Sequence, residues 1–252
     1  MGRIGEMENS DTTEDLILGG RLRIRQPARG YRVNVDTILL AAAVETPPGA
    51  RLLEPGCGVG AAALAVAARS ENVRVLGVER DRNMAAFARE NVALNAMAER
   101  VEIVSGDVLE RNENLGVFDG VFFNPPYDTE GEGRAPAESR RGAYITETSI
   151  DEWIAALVDR LTGGAALTLI HRAAKLPEIL AGLEGRLGGA EVLPIFPRAA
   201  APAKRVIVRA RKGSRAPFKL LQGLVLHDLS GAKHTPEAEA VLRGEHALAW
   251  GD

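Results

Sequence analysis

The chain is poor in the residue types that advertise covalent or metal chemistry. A single cysteine, Cys57, excludes an internal disulfide, and no Cys or His spacing suits a metal ion. The four histidines, His171, His227, His234 and His246, form no catalytic constellation and read as structural. No apolar run approaches the about 20 residues that a membrane-spanning helix needs. The longest, Ile38 to Val44, is far too short. The opening MGRIGEMENSDTTED has no apolar stretch behind a positive flank, so no signal peptide and a cytoplasmic location are expected. Internal repeats are absent, and a net charge of −3 does not by itself call for a polyanionic partner.

What is present is enough to fold. With 252 residues, 46% of them apolar and 26% charged, the chain can bury a full core as one domain with trimmings. Its charge is unevenly spread. Residues 21–32 carry Arg21, Arg23, Arg25, Arg29 and Arg32 without an acid. Residues 198–219 carry Arg198, Lys204, Arg205, Arg209, Arg211, Lys212, Arg215 and Lys219, again without one. Such patches can concentrate phosphate-bearing ligands even on an acidic protein.

Residues 1–15 read as a mobile tail, and Leu16 to Val33 alternates like short strands or a hairpin. Asn34 or Asp36 can cap a helix through Ile38 to Val44. Beyond the Pro47-Pro48-Gly49 turn a regular alternation sets in. Strands are expected at 51–54, 73–79, 101–104, 118–123 and 165–170, with helices at 61–69, 82–96, 150–161 and 176–187 between them. Strands at 191–196 and 206–210 follow with no helix between, so they should pair antiparallel at one edge. The pattern implies an α/β fold with a mostly parallel seven-stranded sheet, helices on both faces and an antiparallel edge strand. Residues 16–212 would form the main domain, with 16–46 as an N-terminal extension. Residues 213–252 would pack on it, with a strand-like run at 223–229 and a helix at 236–242.

The first strand of the alternation ends in Glu54-Pro55-Gly56-Cys57-Gly58-Val59-Gly60 and runs into a helix. Glycines there permit a tight turn and let a ligand approach the main chain. Gly56, Gly58 and Ala61 also satisfy the dinucleotide pattern G-x-G-x-x-G/A, and Glu79, 19 residues beyond Gly60, can accept from ribose hydroxyls in either case. Two acids separate the readings. Glu54, two residues before the first glycine, would repel a pyrophosphate but could hold a cationic amino-acid moiety. Asp107, in Ser105-Gly106-Asp107-Val108, is placed to accept from an adenine amino group.

The strand 118–123 ends in Asn124-Pro125-Pro126-Tyr127. Strand carboxyl ends are where open α/β sheets bind ligands. The prolines remove two amide donors and leave carbonyl acceptors, to which Asn124 adds a side-chain carbonyl. Two acceptors can grip both hydrogens of a planar amino group and turn its nitrogen towards an electrophile, while Tyr127 offers a face for stacking. Such chemistry depends on positioning and does not require a general base before attack.

The set E/D-x-G-x-G-x-G, ribose acid, adenine acid and N-P-P-Y resembles that of class I S-adenosylmethionine-dependent amino methyltransferases. Two flanking segments sharpen the likeness. Gly30-Tyr31-Arg32-Val33-Asn34-Val35-Asp36-Thr37-Ile38-Leu39-Leu40-Ala41 resembles the "G-x-D-x-x-L-L" entry of the bacterial tRNA1(Val) adenine-37 N6-methyltransferase family. So do Leu224-Val225-Leu226-His227-Asp228 and His234-Thr235-Pro236-Glu237. The likeness covers roughly residues 16–245 and implies a Rossmann-like fold. By it, the cofactor is S-adenosyl-L-methionine, held by Asp36, Thr37, Glu54, Gly56, Cys57, Gly58, Gly60, Glu79, Asp107, Val108 and Asn124. Asn124, Pro125, Pro126 and Tyr127 would be catalytic, and no metal is implied. Asp36 could equally be a helix cap. The partner would be tRNA, met by Arg21, Arg23 and Arg25 on one strand face and by the run Arg198 to Lys219, with the protein a monomer or homodimer. Without a long helical domain before the core, modification of a protein glutamine amide is the less expected alternative, beside guanine N2 in rRNA. A non-catalytic cofactor-binding protein or a Rossmann oxidoreductase are the readings from other classes.

Overall fold

A computed structural model describes residues 12–30, 32–110, 115–126, 148–228 and 232–250. Strands β1 (Thr12–Ile17) and β2 (Leu22–Pro27) form an antiparallel hairpin. On β2, Leu22, Ile24 and Gln26 are buried while Arg23 and Arg25 stay exposed, as period-two alternation requires. β1 begins at Thr12, inside the stretch expected to be a tail. It lacks apolar alternation there and is held instead by polar cross-strand contacts: Glu14 with Arg23, and Asp15 with Gln26.

Helix α1 (Val35–Ala43) starts three residues before Ile38, because Asn34 supplies the cap by accepting from the Asp36 N–H at 2.9 Å. Then follow β3 (Arg51–Pro55), α2 (Ala61–Arg69), β4 (Arg74–Glu79), α3 (Arg82–Leu94), β5 (Val101–Ser105), β6 (Phe118–Phe123) and α4 (Ile150–Val158). The chain continues through β7 (Leu161–Arg172), α5 (Leu176–Leu183), β8 (Gly188–Phe196), β9 (Arg205–Arg211), β10 (Lys219–Leu220), β11 (Leu224–Val225) and α6 (Pro236–Leu242). The expected helix 150–161 stops at Val158, where Lys212 Nζ donates to the Val158 and Leu161 carbonyls at 3.0 and 2.9 Å and closes the helix end.

The strand order is β10-β8-β9-β7-β6-β3-β4-β5, with β11 also on β8. The seven expected strands are all in this sheet. The antiparallel pairing near one edge is present, but β9 is the reversed strand and lies between β7 and β8, antiparallel to both. Two short strands, β10 and β11, extend that side to a nine-stranded sheet. Successive residues of the central strands enter opposite cores, as the pleat demands. Leu52, Val75 and Phe122 join the side of α1, α2 and α3, while Leu53, Leu76 and Phe123 join the side of α4 and α5. Near the C-terminus, the Leu248 N–H and Trp250 Nε1 donate to the Ala42 and Ala43 carbonyls, satisfying the end of α1. β3 pairs with β4 on one side and β6 on the other, so the winding direction reverses at β3. In open α/β sheets the crevice at such a reversal, over the strand carboxyl ends, is where ligands sit.

Candidate active site

The glycine loop occupies that crevice. After β3 the chain turns back, with the Gly56 and Cys57 N–H groups donating to the Val78 carbonyl at 2.8 and 3.2 Å. Gly56 has φ +66°, and Gly60, the N-cap of α2, has φ +78°. A Cβ on Gly60 would also lie 3.2 Å from the Ala88 Cβ, so the close approach of α2 to α3 needs a glycine there. The loop presents bare main chain at the positive end of a helix.

Three acids stand at the ends of three consecutive strands. Glu54 on β3 is only 5% exposed and accepts from the Ala63 N–H at 2.7 Å. Burial pushes its carboxyl up to about 8, the Ala63 N–H opposes this, and the charge of Glu79 adds to it. Glu54 is therefore turned into the fold and protonated at neutral pH, ready to ionise beside a cation. Glu79 ends β4, and both its oxygens are engaged: Oε2 accepts from the Gly58 N–H at 2.8 Å, Oε1 from the Asp81 N–H at 2.9 Å. Asp107 follows β5 and accepts from the Leu109 N–H at 2.9 Å in a local turn, with Val108 buried behind it. Cys57 is a buried thiol pushed well above its ordinary value by burial and by Glu54 and Glu79, which makes it unreactive.

On the other side of the loop, β6 delivers Asn124 half-buried, Pro125 buried and Pro126 exposed. Tyr127 lies outside the described residues. Trp153, which nothing in the sequence singles out, lies between β6 and the glycine loop. Its ring stacks on Phe123 with centroids 5.7 Å apart, and its Cη2 would be 3.6 Å from a Cβ on Gly56. The spacing Ile150, Trp153, Ile154, Leu157 marks it as core, which hides its place beside the loop.

Asp36 and Thr37 are buried at the start of α1. Asp36 is not the cap: its Oδ2 accepts from Arg205 Nε at 2.8 Å, tying α1 to the start of β9. The basic run needs a larger correction. Arg209 is 6% exposed, held by Glu191 at 2.6 Å and Glu45 at 2.8 Å, with its guanidinium 3.9 Å from the Trp250 ring centroid. Arg211 pairs with Glu45, Lys212 caps α4, and Lys219 meets Glu191 at 3.6 Å. The run looked acid-free because its acids come from distant sequence. Arg198, Lys204 and Arg215 stay exposed. Arg198 and Lys204 belong to the β8–β9 connection at the carboxyl end of the sheet, whereas Arg215 follows β9 at the opposite end. Arg21 is likewise structural, donating to the Ala68 and Gly244 carbonyls. Arg23 and Arg25 share the exposed hairpin face as expected, with Glu14 between them at 2.8 and 3.9 Å.

The residues fit a sulfonium nucleoside better than a dinucleotide. An acid, Glu54, is buried at the end of β3 beneath the loop, where a pyrophosphate would call for positive charge, and acceptors stand at the ends of β4 and β5. The Methyltransferase small domain family model matches residues 30–140. A relative from Aeromonas hydrophila, named tRNA1(Val) (adenine(37)-N6)-methyltransferase, is 32% identical over 79% of this chain and 84% of its own length. One of the same name from Actinobacillus succinogenes is 32% identical over 53% of this chain, a match that spans 58% of that protein. Among solved structures, a predicted O-methyltransferase from Agrobacterium tumefaciens superposes with TM-score 0.72 and 32% identity, over 85% of this chain and 98% of that one. The Thermus thermophilus 16S rRNA N2 G1207 methyltransferase, solved with AdoMet and guanosine, shares the fold at TM-score 0.57 and 19% identity, over 80% of this chain and 50% of that one. The oxidoreductase and non-catalytic readings are thereby set aside, and the chain belongs to the S-adenosylmethionine-dependent class I methyltransferases, in the family of the tRNA1(Val) (adenine(37)-N6)-methyltransferases.

Proposed function

We propose that this methyltransferase modifies the exocyclic N6 of an adenine in tRNA. The observation that carries the reading is the adjacency of two strand ends. Asn124-Pro125-Pro126 leaves β6 beside β3, whose own end is the glycine loop. S-adenosylmethionine supplies an electrophilic methyl on a sulfonium. Glu79 accepts from the ribose hydroxyls through the lone pairs that Gly58 and Asp81 leave open, and Asp107 accepts from the adenine amino group. Glu54 and the segment at Asp36 and Thr37 serve the cationic methionine end.

The chain's part in the chemical step is to hold and aim the acceptor. The Asn124 side-chain carbonyl and a proline main-chain carbonyl accept the two N–H hydrogens of the amine. This draws its nitrogen out of conjugation and turns the lone pair towards the methyl, so that the N–C bond would form as the C–S bond breaks, with the neutral thioether S-adenosylhomocysteine leaving and one N–H proton passing to water. Tyr127 stacks on the extruded base. Arg198 and Lys204, at the carboxyl end of the sheet, meet the RNA backbone, with Arg23 and Arg25 as a second wall. The relatives' printed names support tRNA as the substrate class. Nucleoside mass spectrometry of tRNA from cells with and without the gene tests the reading. Loss of N6-methyladenosine in the deletion is expected, and an unchanged nucleoside profile would overturn it.

A further inference from the structure

Asn91, on the inner face of α3, is completely buried and none of the chemistry above uses it. Its side chain makes three hydrogen bonds to backbone. Oδ1 accepts from the Arg25 N–H at 2.7 Å, and Nδ2 donates to the Arg25 carbonyl at 2.8 Å and the Val59 carbonyl at 3.0 Å. One turn later Asn95 treats Arg23 in the same way, accepting from its N–H at 2.9 Å and donating to its carbonyl at 2.7 Å. The other Asn95 amide hydrogen goes to the Asn91 carbonyl within the helix. The two asparagines thus replace a missing strand along the outer edge of β2. Only Asn91 also reaches the glycine loop.

Its contact there falls on the Val59–Gly60 peptide, whose N–H donates to the Cys57 carbonyl at 2.8 Å and whose carbonyl Asn91 holds on the other side. Val59 sits between Gly58 and Gly60, with φ +55° and +78°, so neither flanking residue has a side chain to restrict the peptide planes. Glu79 fixes one side through the Gly58 N–H, and Asn91 fixes the next carbonyl. We propose that Asn91 is a positioning residue for the cofactor loop and couples the occupancy of that loop to the order of the N-terminal hairpin. The inference rests on the reading of the glycine loop as the cofactor site. With the Gly60 N–H already on Cys57, the Asn91 bond is a second anchor that narrows the remaining motion of this peptide before cofactor binds, so the benefit falls on affinity and not on the methyl-transfer step.

Calorimetric binding of S-adenosylhomocysteine to Asn91→Ala, Asn95→Ala and Glu79→Ala, with steady-state kinetics, separates the possibilities. Asn91→Ala should weaken binding about 3- to 10-fold, the worth of a neutral hydrogen bond. The KM for S-adenosylmethionine should rise accordingly while kcat at saturation is kept. Asn95→Ala removes the matching clamp on Arg23, which does not reach the loop, and should cost clearly less affinity than Asn91→Ala. Parental affinity in Asn91→Ala, or an equal loss in Asn95→Ala, overturns the inference. If Glu79→Ala also binds normally, the site assignment itself fails. A loss in Glu79→Ala alone rejects only the role of Asn91. Should Asn91→Ala not fold, amide exchange in the parent protein decides. S-adenosylhomocysteine should slow exchange at the Arg25 N–H more than at the Arg23 N–H, and equal slowing or none rejects the coupling.

Discussion

Replacing Glu79 with Gln is a more demanding test of the cofactor site than it looks. Both carboxylate oxygens already accept a backbone N–H, from Gly58 at 2.8 Å and Asp81 at 2.9 Å. A glutamine has one acceptor oxygen, so its amide NH₂ must face one of these donors, leaving an N–H unsatisfied and the loop displaced. The ribose hydroxyls also lose a charged acceptor, worth about 1.5–3 kcal/mol per hydrogen bond. Glu79→Gln should therefore weaken S-adenosylhomocysteine binding about 10- to 150-fold, as much as Glu79→Ala and not a fraction of it. Titration calorimetry of both variants against the parent measures this. Parental affinity in Glu79→Gln would refute the argument, because it would mean that neither the loop's two N–H groups nor the ligand depends on the second carboxylate oxygen.

Glu54 makes stability depend on pH. Its carboxyl ordinarily titrates at 4.5 and is pushed to about 8 in the fold, so its contribution is full below pH 4.5 and is lost as pH rises through 8. Glu54→Gln should flatten the fall in melting temperature of the cofactor-free protein across that window, and an unchanged slope in scanning calorimetry counts against the assignment. Arg209→Ala removes the buried partner of Glu191, leaving it only the longer contact to Lys219, and one partner of Glu45, and should cost about 3 kcal/mol or more in urea unfolding. A loss near zero would mean the cluster is merely solvated. Reversing charge at Arg198 and Lys204 should reduce the slope of log affinity for tRNA against log salt by about 1 per site while leaving cofactor affinity alone. An unchanged slope would put the RNA elsewhere.

The sheet and the glycine loop were legible because their signals are local. α2 at 61–69, β6 at 118–123 and α6 at 236–242 match the sequence boundaries, each bracketed by Gly, Pro or a cap that ends the element abruptly. β11 lies inside the strand-like run expected at 223–229, whereas β10 left no signal, since a two-residue strand carries no alternation. The basic run misled for a different reason. Charge along the run says nothing of the acids that fold against it: Glu191 reaches Arg209 from the neighbouring strand β8 and Glu45 from the segment after α1. Asn91 escaped notice because an asparagine in a helix is ordinarily a weak helix former on a solvated face. Only the folded neighbours reveal that it completes the edge of β2 and holds the loop.

Methyl transfer itself is tested most directly by single-turnover transfer of labelled methyl to unmodified tRNA, with the parent, Asn124→Ala, Tyr127→Ala and Tyr127→Phe at saturating cofactor. Asn124→Ala should bind cofactor normally and lose most transfer, because only one acceptor remains to orient the amine. Tyr127→Ala should fail mainly in holding the base, since stacking contributes about 1–3 kcal/mol per base. Tyr127→Phe should keep much of the rate, as the ring face and not the hydroxyl is used. An Asn124→Ala protein that transfers methyl at the parent's rate, or an inactive Tyr127→Phe, contradicts a mechanism in which the end of β6 grips and aims an amino group.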